Sequence, residues 1–473
     1  MDHHTEVCAG KIYALQQDYQ KSLGGIPVSL RLEILKKLQW LLESNRAKLQ
    51  KAVSNDLGKS DAEFSISEFT PVIHEIKQAK KKIFRWTKPV KVKRSLIFFA
   101  TKAYIRYEPK GAVLIISPWN FPLNLTFAPL ISAITAGNSV TIKPSELSPS
   151  TSAVMAEIVN NNFEPHLIHV LTGGAETAID LQKQPYNHVF FTGSPTIGRE
   201  VMKAASEHLA SVTLELGGKS PVIIDRGTNI EDAAAKIAAG KFLNCGQTCI
   251  APDYILVHKS DEDSFFKALS AALKKSYYQG TMPVRQNPDY TRIINKRHFN
   301  RLDTLLKEAI ADGAMLVTGG ERDEGSLFFE PTVLSSINMQ SAIMTEEIFG
   351  PILPVVTYED ESEVIDIILS RPKPLSLYIF SKREHITARY INRISSGSIC
   401  INEVLIQFLH PNLPFGGINN SGIGNSHGYY GFKTFSHERA VVKQPLWFSL
   451  SRLLSPPFNP FVKRLIHITE KYL

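Results

Sequence analysis

The sequence predicts an α/β protein whose strands and helices alternate into doubly wound sheets. Three observations predict it. Gly111-Ala112-Val113-Leu114-Ile115-Ile116 is a continuous apolar run, as a parallel strand buried on both faces requires. Val140-Thr141-Ile142-Lys143 and Val189-Phe190-Phe191-Thr192 follow helical stretches, and a second alternating set runs from Pro221-Val222-Ile223-Ile224 to about Asn402. The 473 residues, 43% apolar and 21% charged, suffice for two or three domains with large cores. No long linker and no fixed-period repeat interrupts them. The two α/β halves are therefore expected to face each other, with Glu215 near the crossing point.

The elements follow in order. Met1-Asp2-His3-His4-Thr5-Glu6 is polar and no apolar run follows it, so a secretory leader is not expected. Ile12, Leu15, Tyr19 and Leu23 recur at helical spacing, and Gly24-Gly25 supplies a stop. Ser29 is a capping candidate for a second helix with the apolar face Ile34, Leu35, Leu38, Leu41 and Leu42. Between residues 80 and 110 the texture turns basic, with Lys80, Lys81, Lys82, Lys88, Lys91, Lys93 and Arg94. Val90 and Val92 alternate with Lys91 and Lys93, and Lys102-Ala103-Tyr104-Ile105-Arg106-Tyr107 is again ribbon-like. This suits a two-stranded arm in need of a partner sheet, or a basic surface hairpin.

After Val442 the chain mixes aromatic and basic residues: Trp447, Phe448, Phe458 and Phe461 with Arg452, Lys463, Arg464 and Lys471. Pro456-Pro457 breaks the segment. It is too short and too charged to span a bilayer. It suits an anionic membrane surface, a cover for a partner subunit's substrate entrance, or a helix docked on its own protein.

The net charge of +8 is modest for this length and reads as solvated surface charge. No nucleic-acid-binding module or aromatic-interleaved basic stripe occurs, so no nucleic-acid partner is expected. Cys8, Cys245, Cys249 and Cys400 are too sparse for a disulfide scaffold and suit a reducing cytosol. Cys245 and Cys249 alone cannot complete a zinc site, and no metal is expected.

Chemistry concentrates in two stretches, Thr213-Leu214-Glu215-Leu216-Gly217-Gly218 and Asn244-Cys245-Gly246-Gln247-Thr248-Cys249-Ile250. A cysteine among small residues is a thiol nucleophile or an inert buried residue. Glu215, before two glycines, is a base toward water or a structural hydrogen-bonding group. Asn120, after an apolar strand, is an oxyanion donor or a turn residue. Gly193 and Ser194 open a helix and can offer amides to a pyrophosphate. Lys143 and Glu146 follow a strand and can hold ribose hydroxyls or start a helix.

Together these segments resemble the aldehyde dehydrogenase superfamily. The matching pieces are residues 117–122, 143–146, 191–198, 215–219, 246–249, 347–351 and 414–417, in the family's order. The short lead and the 244–254 segment look most like the class 3 or fatty-aldehyde branch.

The resemblance implies a Rossmann-like dinucleotide-binding domain (1–86 and 109–215), a second α/β catalytic domain (216–429), a small β oligomerisation arm (87–108 and 430–445) and an amphipathic tail (446–473). It implies that Cys249, two residues after Gln247, is the nucleophile, that Asn120 holds the oxyanion and that Glu215 activates water. It assigns cofactor binding to Trp119, Lys143, Glu146, Gly193, Ser194, Glu347 and Phe349. NAD is expected as cofactor, with NADP as the alternative, because Glu146 opposes a 2′-phosphate. His427 is left as a turn residue, and Cys245 as a neighbour and oxidation partner of the nucleophile. The resemblance implies a homodimer acting on medium or long aliphatic or aromatic aldehydes. A cytoplasmic location is expected from the sparse cysteines, with membrane contact through the tail as one of its alternatives. A CoA-acylating enzyme is the rival that Glu215 argues against. A non-catalytic scaffold is the rival that the intact Asn120, Glu215 and Cys249 set argues against.

Overall fold

The computed structural model describes residues 8–93, 98, 100–278, 282–447, 449–453 and 455–472. The segment Met1 to Glu6, Arg94 and Phe448 lie outside the described residues.

Two sheets form the frame. The first has six strands in the spatial order Gly422–Ile423, Ser211–Leu216, His188–Gly193, Ala112–Ile116, Ser139–Lys143, Ile168–Val170. All neighbours run parallel except Gly422–Ile423, which is antiparallel to Ser211–Leu216. The chain starts in the middle with Ala112–Ile116, winds outward to one side, then returns and winds to the other. The crevice beyond the carboxyl ends of Ala112–Ile116 and His188–Gly193 is thus the topological switch point, where open α/β sheets bind ligands.

The second sheet has seven strands in the order Met315–Thr318, Thr332–Ser335, Ile352–Tyr358, Tyr254–His258, Pro221–Ile224, Ser376–Phe380, Ser398–Ile401. Only Met315–Thr318 pairs antiparallel. Ser211–Leu216 ends the first sheet and Pro221–Ile224 begins the second, so Glu215 stands at the crossing. The central strands Ala112–Ile116, Ser139–Lys143 and Pro221–Ile224 are buried along their whole length, as their apolar runs anticipated, whereas the edge strand Met315–Thr318 is largely exposed.

The arm differs in count. It has three strands, Val90–Lys91, Lys102–Pro109 and Ser436–Lys443, and the last pairs antiparallel with Lys102–Pro109 over eight residues. Residues 430–434, assigned to the arm from sequence, lie instead in the helix Gly428–Thr434, because Phe432 turns into the core.

The first helix, Ala9–Leu23, ends at Gly24 with φ 62°, as the glycine pair foretold. Its packed face is the anticipated one only in part: Tyr19 packs on the core as expected. Leu15 and Leu23 are exposed, whereas Ile12, Gln16 and Gln20 are buried. Gln20 donates to Ser139 Oγ (2.9 Å) and Gln16 accepts from Thr141 Oγ1 (3.0 Å). A polar seam therefore docks this helix on a buried strand. In the second helix, Val28–Ser44, Pro27 occupies the cap position and Ser29 falls inside the first turn. Proline presets the entry dihedral, which displaces the expected serine cap.

Ile115 lies at the centre of the first sheet with no exposed surface. Ile115→Ala is expected to lower stability by about 2–5 kcal/mol with an unchanged denaturant slope, checked by urea unfolding.

Candidate active site

The helix Ile230–Phe242 runs into a tight turn, Leu243–Gly246. Asn244 (φ 55°) and Cys245 (φ 53°) are left-handed without being glycine, and Gly246 follows at φ 73°. Such residues cost about 1–3 kcal/mol each and persist only where neighbours over-determine them. Here the neighbours are visible. The Asn244 N–H donates to Glu63 Oε1 (2.9 Å), and its Nδ2 donates to the carbonyls of Asn120 (2.9 Å) and Gln247 (3.0 Å). Gln247 Nε2 donates to Asn244 O and Arg292 O, and its Oε1 accepts from Ile294 N–H. A methyl group at Gly246 would lie 2.2 Å from the Gly350 carbonyl, so glycine is required there. This locked turn delivers Cys249, half-buried, to the crevice.

Cys249 lies where two cavities meet. One, of about 670 Å³, is lined by Trp119, Asn120, Glu215, Cys249, Glu347 and Phe349 among others. The other, of about 200 Å³, is apolar and is bounded by Ile66, Phe121, Leu125, Leu243, Phe408 and Leu409 beside Cys249. Asn120 donates one amide hydrogen to Gln247 O (3.0 Å), which leaves the other for the cavity. Neither Glu215 oxygen makes a hydrogen bond within 3.5 Å among the described residues, and the Ser426 hydroxyl is the polar group standing near them. Burial pushes Glu215 up to about 8, and the nearby Ser426 hydroxyl opposes this only in part. Burial first, then Glu347 and Glu215, push the Cys249 thiol up to about 12. The resting sulfur is therefore a thiol beside two carboxyl groups.

A third cavity, of about 880 Å³, extends the cleft past Trp119 and Thr192, which line both spaces. Lys143 is buried at its edge and donates to Glu146 Oε2 at 2.6 Å. Burial raises the Glu146 pKa, but the hydrogen bond and charge of Lys143 outweigh it and hold the carboxyl below its usual range. Gly193 closes a strand, and Ser194 caps the helix Pro195–Ser206 by accepting from Ile197 N–H (3.4 Å). The amide-rich end of that helix opens on the cleft and favours anions.

At the other end stands Glu347. Burial and Asp253 raise it to about 8, against the Gly218 N–H, Lys219 and Arg301. Phe349 (φ 47°) meets Trp119 edge-on at 5.5 Å. A long cleft with an amide-lined middle, a Lys–Glu pair at one end and a carboxyl near the thiol at the other fits a dinucleotide.

A model of the aldehyde dehydrogenase family matches residues 2–441. The 4,4'-diaponeurosporen-aldehyde dehydrogenase of Staphylococcus aureus is 46% identical, over 91% of this chain and 93% of its own. Aldehyde dehydrogenase family 3 member A2 of Mus musculus is 40% identical, over 91% of this chain and 88% of its own. The substrate-bound structure of Staphylococcus aureus AldH superposes with a TM-score of 0.92 at 43% identity, covering 98% of this chain and 99% of that one.

The chain belongs to the aldehyde dehydrogenase family. It is an oxidoreductase of aldehydes on the family's α/β fold, with class 3 members among its relatives. All ten residues singled out from the sequence of this aldehyde dehydrogenase (Trp119, Asn120, Lys143, Glu146, Gly193, Ser194, Glu215, Cys249, Glu347 and Phe349) line the joined cavities.

The Cys245 thiol is enclosed in the core and donates to Tyr290 Oη at 3.3 Å. His427 is more than a turn residue: its ring packs on Phe408 (4.6 Å) and Phe415 beside the apolar cavity. Sequence reasoning missed the supports. Lys219 pairs with Asp253 and donates to Ile343 O and Glu346 O (both 2.7 Å). Asp253 accepts from Ile348 N–H (3.0 Å), and Arg301 donates to the Glu347 carbonyl (3.2 Å). Lys219 lay within a matching segment and was findable. Asp253 and Arg301 become visible only once the chain is folded.

Glu215 binds its proton more tightly when folded, with a pKa raised to about 8 by burial. Its favourable contribution is complete below the ordinary carboxylate pKa and is lost as pH rises through about 8. Glu215→Gln is therefore expected to raise the unfolding temperature at about pH 9 and much less at about pH 5, by calorimetry. An equal gain at both values would exclude ionisation as the cause.

Proposed function

We propose that this aldehyde dehydrogenase oxidises medium- and long-chain aliphatic or aromatic aldehydes to carboxylic acids, with NAD preferred over NADP, through a thioester on Cys249 that water hydrolyses. The carrying observation is the position of Cys249 between a long cleft edged by carboxyl and amide groups and a smaller apolar cavity. An apolar aldehyde tail is desolvated in the second while its carbonyl meets the sulfur.

Each residue then has a task. Cys249 gives up its thiol proton to water in the cleft as Sγ forms a bond to the carbonyl carbon. The free amide hydrogen of Asn120 and the Cys249 N–H receive the oxyanion as it develops. An oxidised nicotinamide held in the cleft would supply the hydride acceptor that lets the adduct on Cys249 become a thioester. Glu215, with no protein partner for its oxygens, takes a proton from water. That water attacks the thioester, the C–S bond breaks and the acid leaves. Lys143 and Glu146 hold the adenosine ribose, Gly193 and Ser194 the pyrophosphate, and Glu347 the nicotinamide ribose, with Trp119 and Phe349 as walls. The charge of Glu146 disfavours a 2′-phosphate.

The division into residues 1–86 with 109–215 for the dinucleotide and 216–429 for the nucleophile belongs to the same proposal. So does a homodimer joined through the arm, whose strand Ser436–Lys443 is a sheet edge. The tail is assigned to a membrane surface. Phe461, Leu465 and Ile468 lie exposed at helical spacing in Pro460–Tyr472, with Lys463 and Arg464 beside them. Among the described residues no helix is long and apolar enough to cross a membrane.

Absorbance of reduced nicotinamide across an aldehyde panel, with both dinucleotides, tests the reading. Catalytic efficiency is expected to rise with chain length and to favour NAD; a preference for short polar aldehydes would refute the substrate class. Glu215→Gln is expected to retain a burst of about one equivalent of reduced cofactor, then turn over ~10²-fold more slowly. Equal loss of burst and steady phases would remove Glu215 from hydrolysis. In the unsubstituted protein the steady rate is expected to climb as pH passes about 8.

A further inference from the structure

Outside the catalytic set, one buried ion pair touches the site from a helical layer that supplies none of its reacting groups. Lys59 follows the helix Arg46–Leu57 and Gly58. Glu68 lies in a π turn, Ser65–Phe69, that continues the short helix Asp61–Phe64. Lys59 Nζ meets Glu68 Oε1 at 2.7 Å, and both side chains are 0% exposed. Each has a second task. Lys59 Nζ donates to the Asn120 carbonyl at 2.9 Å and sits 4.0 Å from the centre of the Phe121 ring. Glu68 Oε2 accepts from the N–H groups of Leu123 (3.1 Å) and Asn124 (3.0 Å), which open the helix Asn124–Ala136. A carboxylate there also meets the positive end of the helix dipole.

We propose that Lys59 and Glu68 are positioning residues that hold the oxyanion donor in register with the nucleophile. This rests on the reading of Asn120 given above. Stability alone is a poor account of such a pair, since buried ion pairs seldom outperform apolar side chains of similar volume. Orientation is a better one. The Asn120 carbonyl receives two donors, Lys59 Nζ and Asn244 Nδ2, from opposite parts of the chain. Two donors fix its peptide plane. The Asn120 side chain is tied in turn to Gln247 O, two residues before the sulfur. The same helical segment reaches the nucleophile turn through Glu63, which accepts from Asn244 N–H and Thr291 Oγ1. An α-helix would set residues five apart about 140° from each other; the wider π turn brings Glu63 and Glu68 toward one side. One short stretch thus clamps both the Asn120 segment and the Cys249 turn.

The test is a double-mutant cycle on the burst rate of nicotinamide reduction. Lys59→Met is expected to slow the burst about 10- to 100-fold, the range for a displaced or lost oxyanion donor, with dinucleotide affinity changed less than about twofold. In an Asn120→Ala background the same change is expected to cost less than about twofold, because the donor it positions is gone. Thermal unfolding monitors the fold. Should Lys59→Met fail to fold, Lys59→Met/Glu68→Gln removes both charges and carries the same expectation. An unchanged burst in Lys59→Met, or equal slowing in both backgrounds, overturns the proposal. An unchanged burst in Asn120→Ala alone instead removes the oxyanion reading of Asn120, and the proposal with it.

Discussion

The carbonyl oxygen of Gln247 joins the two halves of this molecule. It accepts from Asn120 Nδ2, at the end of the first sheet, and from Asn244 Nδ2, in the turn that presents the sulfur. The Asn120 side chain and the turn that carries Cys249 are thereby held to one origin. Its own position is set because Gln247 spends its side chain on Asn244, Arg292 and Ile294. The strained dihedrals at Asn244 and Cys245 are thus a product of convergent hydrogen bonding.

Electrostatics in the cleft follow from the same enclosure. Glu215 and Glu347 are both raised to about 8, chiefly by burial. Their surroundings then differ. The Glu347 carboxyl accepts from Gly218 N–H and its carbonyl from Arg301, while Lys219 and Asp253 hold the flanking Glu346 carbonyl and Ile348 N–H. Glu215 has no such hold on its oxygens. A gripped carboxyl suits a fixed ligand contact, and a free one suits proton transfer, so two chemically identical groups acquire different tasks.

Much of this was legible in the sequence. The apolar runs at 112–116 and 221–224 became central strands because nothing but a doubly covered sheet suits an unbroken apolar stretch. The ten site residues were legible because they sit at strand ends and turns, where short motifs survive translation into geometry. Less legible were groups whose meaning is purely tertiary. Gln16 and Gln20 look like solvent-facing residues of an ordinary helix, yet they bond to Thr141 and Ser139 more than a hundred positions away. Cys245 looked like a companion of Cys249, but a left-handed backbone turned its thiol to Tyr290. Lys59 and Glu68 carry charge into a fully buried layer, which no periodicity reveals.

The proton on Cys249 has a consequence for durability. A sulfur held as a thiol reacts slowly with peroxide, since thiolate is the form that oxidises. Burial that raises the Cys249 pKa thus also keeps down the share of sulfur in the form that oxidants attack.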